Sequence, residues 1–274
     1  METILIPTDF SPSAANAVDY AIELAKFFDS RIVLVHAYPV PNISYEVPFP
    51  VETISTFQKI SEEKLSALKK EILEKHGRDF DIECISDMGS PFEVIEAAAK
   101  KTNADLIVMG IIGEAGAFKE HIIGSTAVAV ARKLEVPTFI IPETIKYQRI
   151  QKISFACDLE KTEETDLVYV AKYFSKVFDA ELEIVNVEDP EGKITHEKAI
   201  SYLFVEEKLE HVNHKTTHIE GANVAEQLEN YFTFHPTNVI MLNPKKHNIF
   251  YNLFNQSITN TLAFHSMLPI LAIH

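Results

Sequence analysis

Two cysteines in 274 residues leave no room for a disulfide framework. Cys84 and Cys157 each lie in an apolar stretch, "IECIS" and "ISFACD", and are expected to be buried thiols of a reducing cytoplasm. No apolar run reaches the roughly 18 residues that a membrane-crossing helix needs, and "METILIPTDF" has neither the basic nor the apolar region of a leader. The expected location is therefore cytoplasmic, with no membrane partner. Basic charge is also scarce: 25 Lys and Arg against 40 Asp and Glu give a net charge of -15, which repels phosphate backbones and argues against nucleic acid. Glycine is rare too, at eight residues, so a place where glycines gather is informative.

The material that is present suits a folded, core-forming protein: 46% of residues are apolar and 24% charged. Strand-like and helix-like stretches alternate from the start. "TILIPT" (3 to 8) reads as a strand, and a helix follows from a Ser cap at Ser11 and Pro12 to residue 28. Next come a strand at 31 to 38, a helix from about Ser55 to His76, and a strand at 80 to 86. A helix from Pro91 to Lys101, a strand at 104 to 110, a helix from Ser125 to Leu134 and a strand at 137 to 142 complete the series. That order implies an α/β fold, with a mainly parallel five-stranded sheet covered by helices on both faces.

The same order then recurs. "ILIPTDFS" (4 to 11) aligns with "ISFACDLE" (153 to 160), placing Asp9 over Asp158. "DSRIVLVHA" lies over "DAELEIVNV", "ADLIVMG" over "TNVIMLN", and "VPTFII" over "LPILAI". The chain therefore divides near residue 148 into two copies of one domain, 1–147 and 148–274, each large enough to fold independently. The last strand of each copy is short and apolar, an edge that needs pairing. The two copies are expected to join there as an internal pseudo-dimer, with homodimerisation left open.

What the copies do not share is the glycine of one connection. Four of the eight fall between residues 109 and 143, in the connection after the fourth strand. Opposite Gly110, Gly113 and Gly124 stand Asn243, Lys246 and Gln256, while Ser125 is matched by Ser257. The second copy makes the same connection without glycine, so turn-making alone does not require it. Glycine also serves where a ligand approaches the backbone. The loop lies at the carboxyl edge of the sheet, where open α/β folds bind ligands, and it leads into a helix whose first N–H groups favour an anion. It is not a Walker loop, which ends in Gly-Lys-Ser/Thr.

"IPTDFS" after the first strand, the long second helix, and "MG-x-x-G" followed by "G-S" at a helix start together resemble the universal stress protein family. The repeat is similar to a tandem member, and the resemblance covers essentially the whole chain. It implies two tandem Rossmann-like domains and binding of an adenine nucleotide, ATP with Mg2+, in the first domain. Asp9 and the backbone at Ala37 would hold the adenine end. Gly110 and Gly113 would line ribose and phosphates, and Gly124, Ser125 and Thr126 would bind phosphates. The second domain would be structural, with Asp158 serving only as a helix cap. Asp9 has a cap reading as well.

Two other readings stand beside this one. Ten residues, not the family's nine, separate Gly113 from Gly124, and Glu114 sets a carboxylate beside the phosphate positions. Both favour an interaction protein that binds no nucleotide and whose protein partner is unknown. An adenine-nucleotide hydrolase would need S-G-G-x-D-S after the first strand, where "PTDFSPS" stands, so at most slow ATP hydrolysis is expected and no catalytic residue is assigned. His211, His214 and His218 suggest a metal cluster, but "HKTTHIE" reads as a strand, which would set His214 and His218 roughly 13 Å apart. No metal is assigned. "NIFYNLF" (248 to 254) is expected to fill the space that a nucleotide would take in the other domain.

Overall fold

The structure, a computed structural model, describes residues 1–39, 51–76, 80–111, 124–159, 162–188, 196–244 and 268–274. The first half runs β1 (Thr3–Pro7), α1 (Pro12–Phe28), β2 (Arg31–Tyr38), α2 (Val51–His76), β3 (Ile82–Met88), α3 (Pro91–Thr102), β4 (Leu106–Gly110), α4 (Ser125–Lys133) and β5 (Thr138–Ile141). The second runs β6 (Lys152–Ala156), α5 (Thr162–Phe178), β7 (Glu181–Glu188), α6 (His196–Lys208), β8 (His214–Glu220), α7 (Val224–Phe234), β9 (Val239–Leu242) and β10 (Ile270–Ala272).

Local chemistry sets the element ends, often identically in the two halves. Ser11 caps α1, its Oγ accepting from the Ala14 amide at 3.2 Å, and Pro12 opens the helix where a missing N–H costs nothing. The chain leaves α1 through Asp29 at φ 55 and leaves α5 through Asp179 at φ 53. In both, the next amide reaches back to close the last turn: Ser30 to Ala25 at 3.1 Å, Ala180 to Ser175 at 2.9 Å. A capping box of Ser90 and Glu93 starts α3, and Asn223 caps α7 at the matching position.

Each half is a Rossmann-like parallel sheet, ordered β3-β2-β1-β4-β5 and β8-β7-β6-β9-β10. The β1, β4 and β5 strands are apolar and wholly or almost wholly buried, as strands covered on both faces must be. The two sheets meet at their last strands, where β10 pairs antiparallel with β5 in the register Ile270↔Ile140, Leu271↔Phe139 and Ala272↔Thr138. The result is one ten-stranded sheet whose apolar cores run across the junction. Helices α1, α2, α5 and α6 cover one face, and α3, α4 and α7 the other.

Cysteine burial corrects one expectation. Cys157 is buried, but Cys84 is exposed, although its thiol approaches the Leu65 carbonyl of α2 at 3.9 Å. The reason is topological: β3 is an edge strand with one neighbour, so an apolar sequence there is not fully covered. Neither cysteine is in a disulfide.

Candidate functional site

The carboxyl ends of β2, β1 and β4 lie side by side, so topology brings Ala37, Asp9 and Gly110 to one edge. Past β1 the chain makes a tight turn out of its own side chains. Thr8 Oγ1 accepts from the Phe10 amide at 3.0 Å, and Asp9 Oδ1 accepts from the Ser11 amide at 3.1 Å. Asp9 is half-buried and shapes the turn before α1, while Ser11 is the helix cap, so the cap reading of Asp9 does not hold. Phe10 takes φ 65, a conformation that a bulky residue adopts only when its surroundings hold it there.

Those surroundings are visible. The Phe10 ring packs against His36 at 4.6 Å between centroids, and Lys64 of α2 brings its ammonium to 5.2 Å from the same ring. His36 is fixed in turn by a 2.7 Å contact between Nδ1 and the Thr8 carbonyl, and the Thr8 amide continues the sheet to the Val35 carbonyl at 2.9 Å. Ala37 follows, half-buried and in register with Asp87 of β3. Nearby, burial and then the carboxylates of Asp87 and Glu62 push the Tyr38 phenol up. Phe10, His36 and Lys64 are site-edge residues that no motif in the sequence marks. The available signal was a histidine closing an otherwise apolar strand.

Gly110 has a packing reason of its own. A Cβ there would lie 2.6 Å from Ser13 Oγ and 2.8 Å from both the carbonyl carbon and oxygen of Ser13. Helix α1 packs on β4 and β5 as well as β1, whereas α5 packs on β6 and β7. The glycine at 110 thus follows from how α1 leans on its sheet. Ligand approach is not needed to account for Gly110.

Gly113 and Glu114 lie outside the described residues, as do Lys246, Gln256, Ser257 and the aromatic segment 248 to 254. The ends of the glycine-rich connection are described. The Gly124 amide donates to the Ile111 carbonyl at 2.6 Å, and Ile111 itself donates to Ile141 at 3.1 Å. Gly124 is the N-cap of α4 at φ -58 and ψ 138, with no side-chain cap, so it needs no positive φ. Ser125 is exposed and Thr126 half-buried in the first turn of α4, which has no acidic residue there to repel an anion.

The same edge of the second half is built differently. Cys157 reproduces the Thr8 bond, its amide reaching the Val185 carbonyl at 3.1 Å. Where the first half has His36, the second has buried Asn186, whose Oδ1 accepts from the Leu159 amide at 3.4 Å. Its Nδ2 donates to Glu188 Oε1 at 3.1 Å, and the same oxygen meets His218 Nδ1 at 2.8 Å and accepts from the Tyr202 hydroxyl. Interlocked side chains therefore occupy this edge beside the half-buried Asp158.

The segment 214 to 220 is a strand, as its sequence implies. His214 meets Glu206 at 3.0 Å through Nε2 and the Val212 carbonyl at 2.9 Å through Nδ1, and His211 sits at φ 67. Among the described residues, no three His, Cys, Asp or Glu side chains are grouped to hold a metal ion, and no helix is long and apolar enough to cross a membrane.

A parallel α/β sheet with a tight acidic turn after β1 and a glycine-capped helix beside β4 defines a class of Rossmann-like proteins. Residues 1–142 match the universal stress protein family profile, and the chain belongs to that family. A universal stress protein of Methanocaldococcus jannaschii is 32% identical over 146 residues, 52% of this chain and 83% of that one. One from Thermus aquaticus is 32% identical over 141 residues, covering 51% of this chain and 98% of that one. The crystal structure of a universal stress protein from Archaeoglobus fulgidus covers 99% of this chain and 97% of its own, with a TM-score of 0.72 at 20% identity, a likeness of fold along the full length.

Proposed function

We propose that this chain is a stress-response or signalling protein that binds one adenine nucleotide, ATP with its Mg2+, in a domain formed by residues 1–147. Residues 148–274 form a second domain that binds none and serves as a structural partner. The observation that carries the reading is the contrast between the two carboxyl edges. The first ends in backbone turns, a half-buried carboxylate at Asp9 and an uncapped helix start at Gly124. The second is filled by Asn186, Glu188, Tyr202 and His218.

The groups present suit the ligand by chemical type. Asp9 is an acceptor for the donor edge of adenine, beside the Ala37 backbone. By the family resemblance, Gly110 and Gly113 would line the ribose and phosphates. Ser125 and Thr126 offer hydroxyls, and with Gly124 they form the positive end of α4 for phosphate. Mg2+ would neutralise phosphate charge. The role proposed is binding, with at most slow ATP hydrolysis.

Calorimetric titration with ATP, alongside native mass spectrometry, tests this directly. One site per chain is expected, lost in Gly124→Gln, because a side chain at φ -58 is tolerated by the backbone yet fills the phosphate approach. Asp9→Ala should weaken selectivity for adenine over guanine and leave phosphate affinity nearly unchanged. Two sites per chain, or unaltered affinity in Gly124→Gln, would refute the assignment. Absence of binding in all of them would favour the interaction-protein reading.

A further inference from the structure

We propose that the outer face of α5 and α6 is a docking surface for a cationic amphipathic helix of a partner protein. The equivalent face of the first half shows what a solvated version of these helices looks like. Apart from Phe27 and Ile60, α1 and α2 present charge outward, arranged as pairs: Lys26 with Glu23, Lys75 with Asp19, Lys59 with Glu63 and Lys70 with Glu74. On α5 and α6 the outward positions carry Tyr169, Tyr173, Ile200, Leu203 and Phe204, which are 55%, 50%, 65%, 72% and 38% exposed. Their spacings of three and four residues line one stripe on each helix. An exposed apolar surface on one copy of a repeated fold, where the other is charged, is not explained by folding.

The stripe is also held in shape. The Lys208 side chain is buried between Tyr169 and Phe204, its ammonium 3.8 Å and 3.6 Å from the two ring centroids, and it pairs with Asp166 at 3.1 Å. One ring comes from each helix, so the lysine clamps the seam in advance of binding. Preorganised aromatic anchors of this kind dominate interface energetics.

Charge identifies the occupant. Glu207 and Glu210 are exposed in and just beyond the last turn of α6, whereas Glu206 is engaged by His214 at 3.0 Å and Thr216 at 2.9 Å, and the Lys172 ammonium meets the Lys208 and Glu210 carbonyls. Two exposed carboxylates beside an apolar stripe, on a chain of net charge -15, complement lysines or arginines flanking an apolar helix face. A second copy would bring the same carboxylates to the same patch, on a chain whose net charge is already -15.

The test is a fluorescein-labelled 18-residue peptide of leucine and lysine at helical spacing, titrated with the full chain and followed by anisotropy. Saturable binding is expected, with a leucine and glutamate counterpart about tenfold weaker or worse. The neutral double variant Ile200→Ser/Leu203→Ser should lose affinity by about tenfold or more while its thermal unfolding stays unchanged, because both side chains are exposed. Equal binding by the double variant, equal binding of the acidic peptide, or no binding would overturn the proposal. So would Leu203-dependent self-association in sedimentation equilibrium, which would make a second copy the occupant.

Discussion

Beneath α3 the first half buries Leu5, Val33, Ile85 and Ala98 in an apolar cluster. Beneath α7 the second half puts Ser154, Glu183, Thr217 and Tyr231 at the same four places, fixed by the pairings Leu5↔Val33 and Ser154↔Glu183 and by the matching helix caps. Glu183 is fully buried. It accepts from Lys152 at 2.8 Å, Tyr231 at 2.5 Å, Thr217 at 2.9 Å, Ser154 at 3.2 Å and Lys215 at 3.3 Å. The comparison teaches that this fold accepts either an apolar centre or a polar one, provided that the polar one is fully bonded. Burial pushes the Glu183 carboxyl up, but the hydrogen bonds from Lys152, Tyr231 and Thr217 outweigh it and hold the group at about 2.

The sharpest way to break this equivalence is Glu183→Ala. It strips a buried cluster of the carboxylate that its donors share and should destabilise the protein by about 3 to 5 kcal/mol. Replacing the cluster by the first half's residues, as Ser154→Leu/Glu183→Val/Thr217→Ile/Tyr231→Ala, should recover much of that loss. Urea unfolding of both variants decides the matter, and an unharmed Glu183→Ala would show that the network is incidental.

Next in size is Gly110. Gly110→Asn imports the second half's residue into a space held by the Ser13 backbone, and should cost about 1 to 3 kcal/mol. Ser13→Gly should not rescue it, since the obstructing carbonyl belongs to the main chain. Denaturant melts of the single and double variants test this, and full rescue would contradict the packing account.

Acid should separate the halves more gently. A carboxylate whose folded pKa is depressed contributes stability above its unfolded value, about 4.3 for glutamate, and loses it as pH falls through the folded value of about 2. Amide exchange in β6, β7 and β8 should therefore accelerate between these pH values before that in β1, β2 and β4. Simultaneous loss of protection in both halves would argue against the sign and place of the effect.

The smallest predicted effect tests sameness. Asp29→Gly and Asp179→Gly remove a side chain from left-handed cap positions of nearly equal φ, and each should change stability by less than about 1 kcal/mol, in the same direction. Opposite signs in calorimetric melts would mean that the two helix ends are not equivalent.

Much of this architecture was legible in the sequence, because strands and helices are local and periodic. Ser11, Pro12 and the run to Phe28 announced α1, and the recurrence of the strand patterns announced the second sheet. The junction at "PTFIIP" and "PILAIH" was legible as well, since short apolar edges must find a partner. The exposure of Cys84 was not, because strand order decides which strand is the edge. Nor was the fixed turn at Thr8, Asp9 and Phe10, whose hold depends on His36 and Lys64 from other elements.

The sequence by itself determined the α/β alternation, the repeat and the absence of glycine from the second copy's matching connection, for these rest on residue type and spacing along the chain. Only the tertiary structure decided what those residues meet. It packed the start of α1 against Gly110 and surrounded Glu183 with five donors. It left the α5 and α6 stripe facing outward where α1 and α2 carry ion pairs. Burial, close approach and charge pairing are relations between residues far apart in the chain, and no local pattern encodes them.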